Sequence, residues 1–259
     1  MSDFRRAQAQ LSADLRIFRR NPAALFFTAI LPVIFLCMFV GIFGNEKLKD
    51  YGGIRSSTLQ VPAFIALAVI SASFVALAIG FTRMRETGVL KRVRATPVPP
   101  WIVFWGRIGT SVVTAGVITV VLMAIGRILF GVSVPTHTLP GLLSALAVGA
   151  GTFCALGIAF TRLIPSEDAA PAMTNAVVLP LYFISGVFVP FRTLPAGLRS
   201  VAELLPAQPF VDGLRVAFDP HTVGAGIAGG DLLKLGIWGV AGLIFAMRVF
   251  VWTPRHQAG

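Results

Sequence analysis

Long apolar runs alternate with short charged segments along the whole chain, and the acidic residues keep strictly to the segments. Six runs, at 24–43, 62–81, 108–130, 140–160, 172–189 and 233–252, each hold close to the ~20 helical residues needed to cross ~30 Å of hydrocarbon. All 11 carboxylates (Asp3, Asp14, Glu46, Asp50, Glu86, Glu167, Asp168, Glu203, Asp212, Asp219, Asp231) fall between or outside the runs. The pattern predicts an all-α polytopic membrane protein with six transmembrane helices, forming a single domain over 1–259. Pro32 and Pro180 lie inside runs and predict kinks, which membrane helices tolerate when neighbours satisfy the freed carbonyls. The first run does not read as a cleavable leader: it is too long, follows charged sequence, and lacks a small-x-small site.

Ahead of the first run, Phe4, Leu11, Leu15 and Phe18 recur at helical spacing with arginines between them. That stripe predicts a helix over 3–20 lying in the membrane interface, ended by Pro22.

Charge then orients the runs. Arg5, Arg6, Arg16, Arg19 and Arg20 precede run one, and Arg83, Arg85, Lys91, Arg92, Arg94 and Arg107 lie between runs two and three. Arg162, Arg248 and Arg255 fall on the same side, against Lys47, Lys49, Arg55, Arg192, Arg199 and Arg215 on the other. The excess of Lys and Arg predicts that both termini are cytoplasmic, in a multi-pass protein of the cell membrane.

Composition narrows the class. At 56% hydrophobic and 13% charged, the chain cannot clothe a soluble surface. Its net charge of +11 comes from topology-setting loops, without the basic-and-aromatic stripe of a nucleic-acid binder. Cys37 and Cys154 sit in apolar runs as small hydrophobes. His137, His221 and His256 lie outside the runs, and neither H-E-x-x-H nor a P-loop motif occurs, so no zinc or ATP site is expected in this chain. With no carboxylate in the apolar core to relay protons or sodium, the driving energy is expected to come from outside the chain.

Two stretches stand out. The loop T82-R-M-R-E-T-G-V-L-K-R-V-R-A-T-P-V-P-P-W101 places Val89, Leu90 and Val93 at helical spacing among charges, and Pro97, Pro99 and Pro100 stop it. A short amphipathic helix held between two spans suits docking into a groove on a soluble partner; the alternative is an anchor to lipid phosphates. Between runs five and six, Phe188, Phe191, Leu194, Leu198, Leu204 and Leu205 are interrupted by Pro190, Pro195, Pro206 and Pro209. This is too apolar for a solvated loop and too broken for a span. It predicts short helices re-entering the outer leaflet, or else an amphipathic cap on it.

Both stretches resemble the ABC type-2 permease family, the membrane halves of ATP-binding-cassette exporters. RETGVLKRVRATPVPPW is similar to that family's Glu-x-Gly-Thr-Leu and Leu-x-x-Thr-Pro loop, departing at Val89, where a Thr is common. SGVFVPFRTLPAGLRSVAELLPAQPFVDGLR, from Ser185 to Arg215, is similar to its Ser-Gly-x-x-x-Pro, Leu-Pro and closing Asp-x-x-Arg signature. Within the family the drug and antibiotic-export branch looks closest. The resemblance implies a permease that moves an amphipathic or lipid-like compound outward, with ATP and magnesium bound by two separate ATPase subunits and no cofactor in this chain. A second permease copy or a paralogue would complete a dimer in contact with membrane lipids. Arg85, Glu86, Gly88, Val89, Leu90 and Val93 would couple to the ATPase, and Ser185, Gly186, Pro190, Leu194, Pro195, Asp212 and Arg215 would form an outer gate region. The alternatives are export of a polysaccharide or lipid-linked glycan and, further off, a secondary carrier or an intramembrane serine protease at Ser185-Gly186. The protease would need a histidine that no run supplies.

Overall fold

The computed structural model describes residues 26–48, 53–95, 101–189 and 191–249, with isolated positions between Gln8 and Pro22. The interfacial helix expected over 3–20, the Pro97–Pro100 stop and Pro190 lie outside the described residues, apart from those isolated positions.

The centre of the bundle is α2, Ser56–Glu86, a 31-residue helix interrupted by one π-helical turn at Ser71–Val75. Its sequence from Val61 to Ile70 is apolar on every side, and every one of those residues is buried, as an all-round hydrophobic helix requires. Around it stand α1 (a π turn Phe26–Ile30 running into Leu31–Phe43), α4 (Trp101–Phe130), α5 (Leu139–Phe160) and α6 (Ala169–Ile184). The short α3 (Val89–Arg94) follows α2, and α7 (Ala196–Leu204) and α8 (Ala207–Phe218) follow α6. The last helix, α9 (Gly229–Val249), packs mainly against α5.

The loops sort onto two ends. At one, which we call the hairpin end, two-residue strands β1 (Lys47–Leu48) and β2 (Ile54–Arg55) pair antiparallel, a small departure from an all-α fold. Beside them Asn45 Nδ2 donates to Phe130 O at 2.9 Å and its Oδ1 accepts the Ser57 amide, joining the ends of α1 and α4 to the start of α2. The α4–α5 and α8–α9 loops meet there too, with the Gly141 amide donating to Ala225 O at 2.9 Å. At the opposite, arginine end, the α2–α3 turn meets the α5–α6 loop. Helices α2, α4, α5 and α9 therefore each run from one end to the other.

Four helices are long and apolar enough to cross a membrane among the described residues: Ser56–Glu86, Phe104–Phe130, Leu139–Phe160 and Gly229–Arg248. The first and fifth expected spans are shorter, Thr28–Phe43 and Ala169–Ile184. Run five was expected to reach 189, but the chain turns at Ser185-Gly186, where Gly186 has φ 81°. Run two was expected to begin at 62 and end at 81; polar residues at both ends are held inside the fold and extend it.

Glycines let the helices approach. Gly157 lies on the Phe74 backbone of α2, Gly239 on Thr152, Gly242 on Leu156, and Gly149 beneath the Phe210 ring. Gly151 and Gly236, on the same two helices α5 and α9, face open space instead.

Candidate functional site

At the arginine end, a single buried side chain organises the α2–α3 turn. Arg85 is 2% exposed. Its Nη1 donates to Thr161 O at 2.8 Å and its Nη2 to Ile164 O at 2.7 Å, just past the C-terminus of α5. Nε donates to Glu86 Oε1 at 2.6 Å. The planar fork thus satisfies carbonyls at a helix end whose dipole favours a cation, while a neighbouring carboxylate balances the charge. Arg83 reaches Glu167 at 3.2 Å and adds an exposed tie between the same two loops.

The Glu-Thr-Gly string is a helix stop. The Thr87 amide donates to Arg83 O and the Gly88 amide to Arg85 O, with Gly88 at φ 71°. The chain then re-enters a helix at Val89, and the Arg92 guanidinium closes back onto Thr87 O at 3.2 Å. Within α3, Leu90 is 0% exposed and packs with Leu77, Phe81, Cys154, Ile158 and Ala246, whereas Val89 is 36% exposed. Leu90 was expected to present itself to a partner; it faces this chain's own core and holds α3 against α2 and α5. Arg85 is likewise an internal clamp. Val89, Lys91 and Arg92 are the outward residues, and the Val93 side chain lies outside the described residues. Sequence reasoning did not find Thr161 and Ile164, because it is their backbone carbonyls that act.

At the hairpin end, the α7–α8 segment folds back into the bundle. Thr138 Oγ1 donates to Ala217 O, fixing the top of α8, and Ala207 lies ten residues, or about 15 Å, below it. Phe210 meets Gly149 and Phe153, the rings 5.7 Å apart, and Trp238 Nε1 donates to Leu204 O at 2.8 Å from about two and a half turns inside α9. These contacts seat the α7–α8 hairpin against α5 and α9, well inside the ends of those two helices.

The hairpin is locked by Arg215, whose Nη2 donates to Gly186 O at 2.6 Å and whose Nη1 lies 3.4 Å from Asp212. Gln208 Nε2 donates to the other Asp212 oxygen. Ser185 is buried beside this knot, while Leu194 and Pro195 sit apart at the start of α7, where Leu194 O accepts from Arg199. Gln208 was missed, although it shares the 208, 212, 215 helical stripe with two expected residues. The core is also less free of acids than the runs imply: Asp212 is carried below the hairpin end, and Asp231 falls in the first turn of α9.

The chain is similar in sequence to known membrane transport proteins. The profile of the ABC-2 type transporter family matches residues 6–218. The Inner membrane transport permease YadH of Escherichia coli (strain K12) is 24% identical over 194 residues, 74% of this chain and 75% of that protein. The protein named Probable multidrug ABC transporter permease YbhR, from the same organism, is 20% identical over 153 residues, 59% of this chain and 41% of its own length.

Proposed function

Because the chain belongs to the ABC-2 type transporter family, we propose that it is the membrane-spanning subunit of an ATP-driven exporter, worked by separate ATPase subunits. One observation carries the reading. The α2–α3 turn is clamped to α5 by Arg85 and Leu90, so a push on the outward face of α3 moves the end of α2, the central helix, as a rigid piece. In this reading the arginine end is cytoplasmic, Val89, Lys91 and Arg92 meet the ATPase, and MgATP is bound by that partner. Two copies, or one copy and a paralogue, form the pathway. The re-entrant hairpin closes it from outside, with Ser185, Gly186, Asp212 and Arg215 as its latch.

The cargo class follows from the walls. The described spans expose apolar side chains and few charges, which suits an amphipathic or lipid-like compound; the multidrug name carried by YbhR agrees with a drug. Asp212 is held by Arg215 and Gln208, which disfavours a proton relay.

The test is co-purification of the ATPase subunit with Val89→Asp, alongside cellular export. A charge on the outward ridge should reduce both by at least tenfold, because an unpaired charge buried at an interface costs several kcal/mol. Export should also persist when an uncoupler is added at constant ATP. Full ATPase binding and export by Val89→Asp would reduce α3 to a topological anchor.

A further inference from the structure

Helix α6, the fifth expected span, carries an exposed carboxamide, Asn175. The helix runs antiparallel to α2, with Ala170 packed on Ala78 and the Tyr182 hydroxyl reaching Leu67 O. Asn175 lies between these contacts, about 9 Å along α6 from its start and level with Phe74. The other helices show what surrounds that level. Gly157 lies on the Phe74 backbone and Gly242 on Leu156, while Phe104 stacks on Phe81 about two turns further along α2. The outward residues at the height of Asn175 are therefore Val112 and Val113 on α4 and Leu243 and Ile244 on α9, all exposed. Asn175 stands in an apolar belt.

Two polar groups on its face lack partners. The Asn175 carboxamide makes no hydrogen bond among the described residues, whereas Thr174 and Tyr182 on the same helix donate to Ala170 O and Leu67 O. Pro180 has no amide to return to Ala176 O, so that backbone acceptor loses its helical donor one residue from Asn175. Hydrocarbon can satisfy neither group, and the side chain is too short to reach back to the start of the helix. Ala172, Ala176 and Leu179 share the face at spacings of three and four from Asn175 and are exposed, and the alanines let another backbone come close.

We propose that this face of α6 meets the same face of a second copy, with the two Asn175 carboxamides bonded to each other and to the Ala176 carbonyls freed by Pro180. Symmetry favours a copy of this chain over other occupants. A two-fold axis along the membrane normal brings one residue of each copy together at one depth, and a carboxamide, donor and acceptor at once, complements itself. A lipid tail offers neither. The inference rests on the two-copy reading above and adds to it the face and the residue that join the copies.

The full-length chain with Cys37→Ala and Cys154→Ala is reconstituted without the ATPase into phosphatidylcholine vesicles and oxidised. Ala172→Cys should form a disulfide-linked dimer at least tenfold faster than Val112→Cys or Leu243→Cys, which are exposed at a similar level on other helices. Energy transfer between labelled copies, followed as lipid is added, then measures the pairing. Asn175→Leu should raise the protein density at half-dissociation by about tenfold, because two symmetry-related interhelical bonds are lost, and Asn175→Gln should recover most of it. Pro180→Ala, which returns an amide to Ala176 O, should also weaken the pairing with Asn175 intact. Positions 172, 175 and 180 are all exposed, so an unchanged melting temperature confirms that each variant folds. Faster linkage at Val112 or Leu243 places the second copy on another face and overturns the proposal while leaving the two-copy reading intact. Equal energy transfer by the parent and Asn175→Leu also overturns it and assigns the carboxamide to water or cargo. Absence of energy transfer in the parent overturns both.

Discussion

Replacing Arg85 by Gln should loosen the α2–α3 turn far more than any other single charge removal at that end. The substitution deletes bonds of 2.8 and 2.7 Å to Thr161 O and Ile164 O and takes the 2.6 Å partner from Glu86, all in a site that is 2% exposed. Hydrogen bonds to a charged group contribute about 1.5–3 kcal/mol each, and breaking a buried ion pair costs about 3–5 kcal/mol. The three contacts share one guanidinium and are not additive, so about 3–5 kcal/mol is the expected loss. At about 1.4 kcal/mol per tenfold, local opening becomes roughly 100 to 4,000 times more frequent. The amides of Thr87, Gly88 and Arg92, which donate to Arg83, Arg85 and Gly88, are the reporters. Hydrogen exchange of the full chain in lipid nanodiscs, read by mass spectrometry, measures their protection. Arg83→Gln is the contrast: its partner Glu167 is 3.2 Å away but both side chains are well exposed, and such pairs contribute at most about 1 kcal/mol. If Arg85→Gln accelerates exchange by less than about tenfold, or no more than Arg83→Gln does, Arg85 is not the clamp.

Two further outcomes are expected. Gly157→Ala would place a Cβ 2.7 Å from the Phe74 carbonyl oxygen and should lower stability by about 1–3 kcal/mol, seen as a reduced melting temperature, while Gly151→Ala, facing open space on the same helix, should be neutral or stabilising. In intact cells an impermeant thiol reagent should label Val223→Cys, at a site 96% exposed near the hairpin end, and should reach Lys91→Cys only after permeabilisation; the reverse pattern would invert the proposed orientation.

The runs of apolar residues announced the helices because membrane-spanning segments must satisfy their backbones internally, and length alone then reveals them. Boundaries failed where tertiary partners intervene. Hydropathy excludes Ser56, Ser57 and Arg85 from a span, yet Asn45 holds the Ser57 amide and the α5 carbonyls hold Arg85, so α2 extends at both ends. The opposite error came at 185–189, where the residues stay apolar but Gly186 turns the chain to let Arg215 in. In the coupling loop the pattern distinguished apolar from charged positions without telling inward from outward. Leu90 and Val89 are adjacent and both aliphatic, and only the cluster around Phe81 decides between them. The break of residues 191–218 into short helices was legible from the prolines, but how far they reach into the bundle was not, since that depends on Phe210 finding the bare backbone of Gly149.

The π turn at Ser71–Val75 sets the rotational phase of everything beneath it. A π turn accommodates roughly one residue more than an α turn, and each α-helical residue advances the direction of a side chain by about 100°. Losing a single residue from the arginine-end half of α2 would swing everything beyond it by about 100°, carrying Arg85 away from Thr161 and Ile164, whereas losing one from the π turn itself would convert it to an α turn and largely keep that phase. Tyr182 pins this wide turn, its hydroxyl reaching Leu67 O at 3.1 Å and lying 2.9 Å from Ser71 Oγ. The chain can therefore absorb changes of residue type along much of α2, but a change of count only at the π turn: a one-residue deletion elsewhere in the helix rewires the far end of the molecule while altering little in its hydropathy.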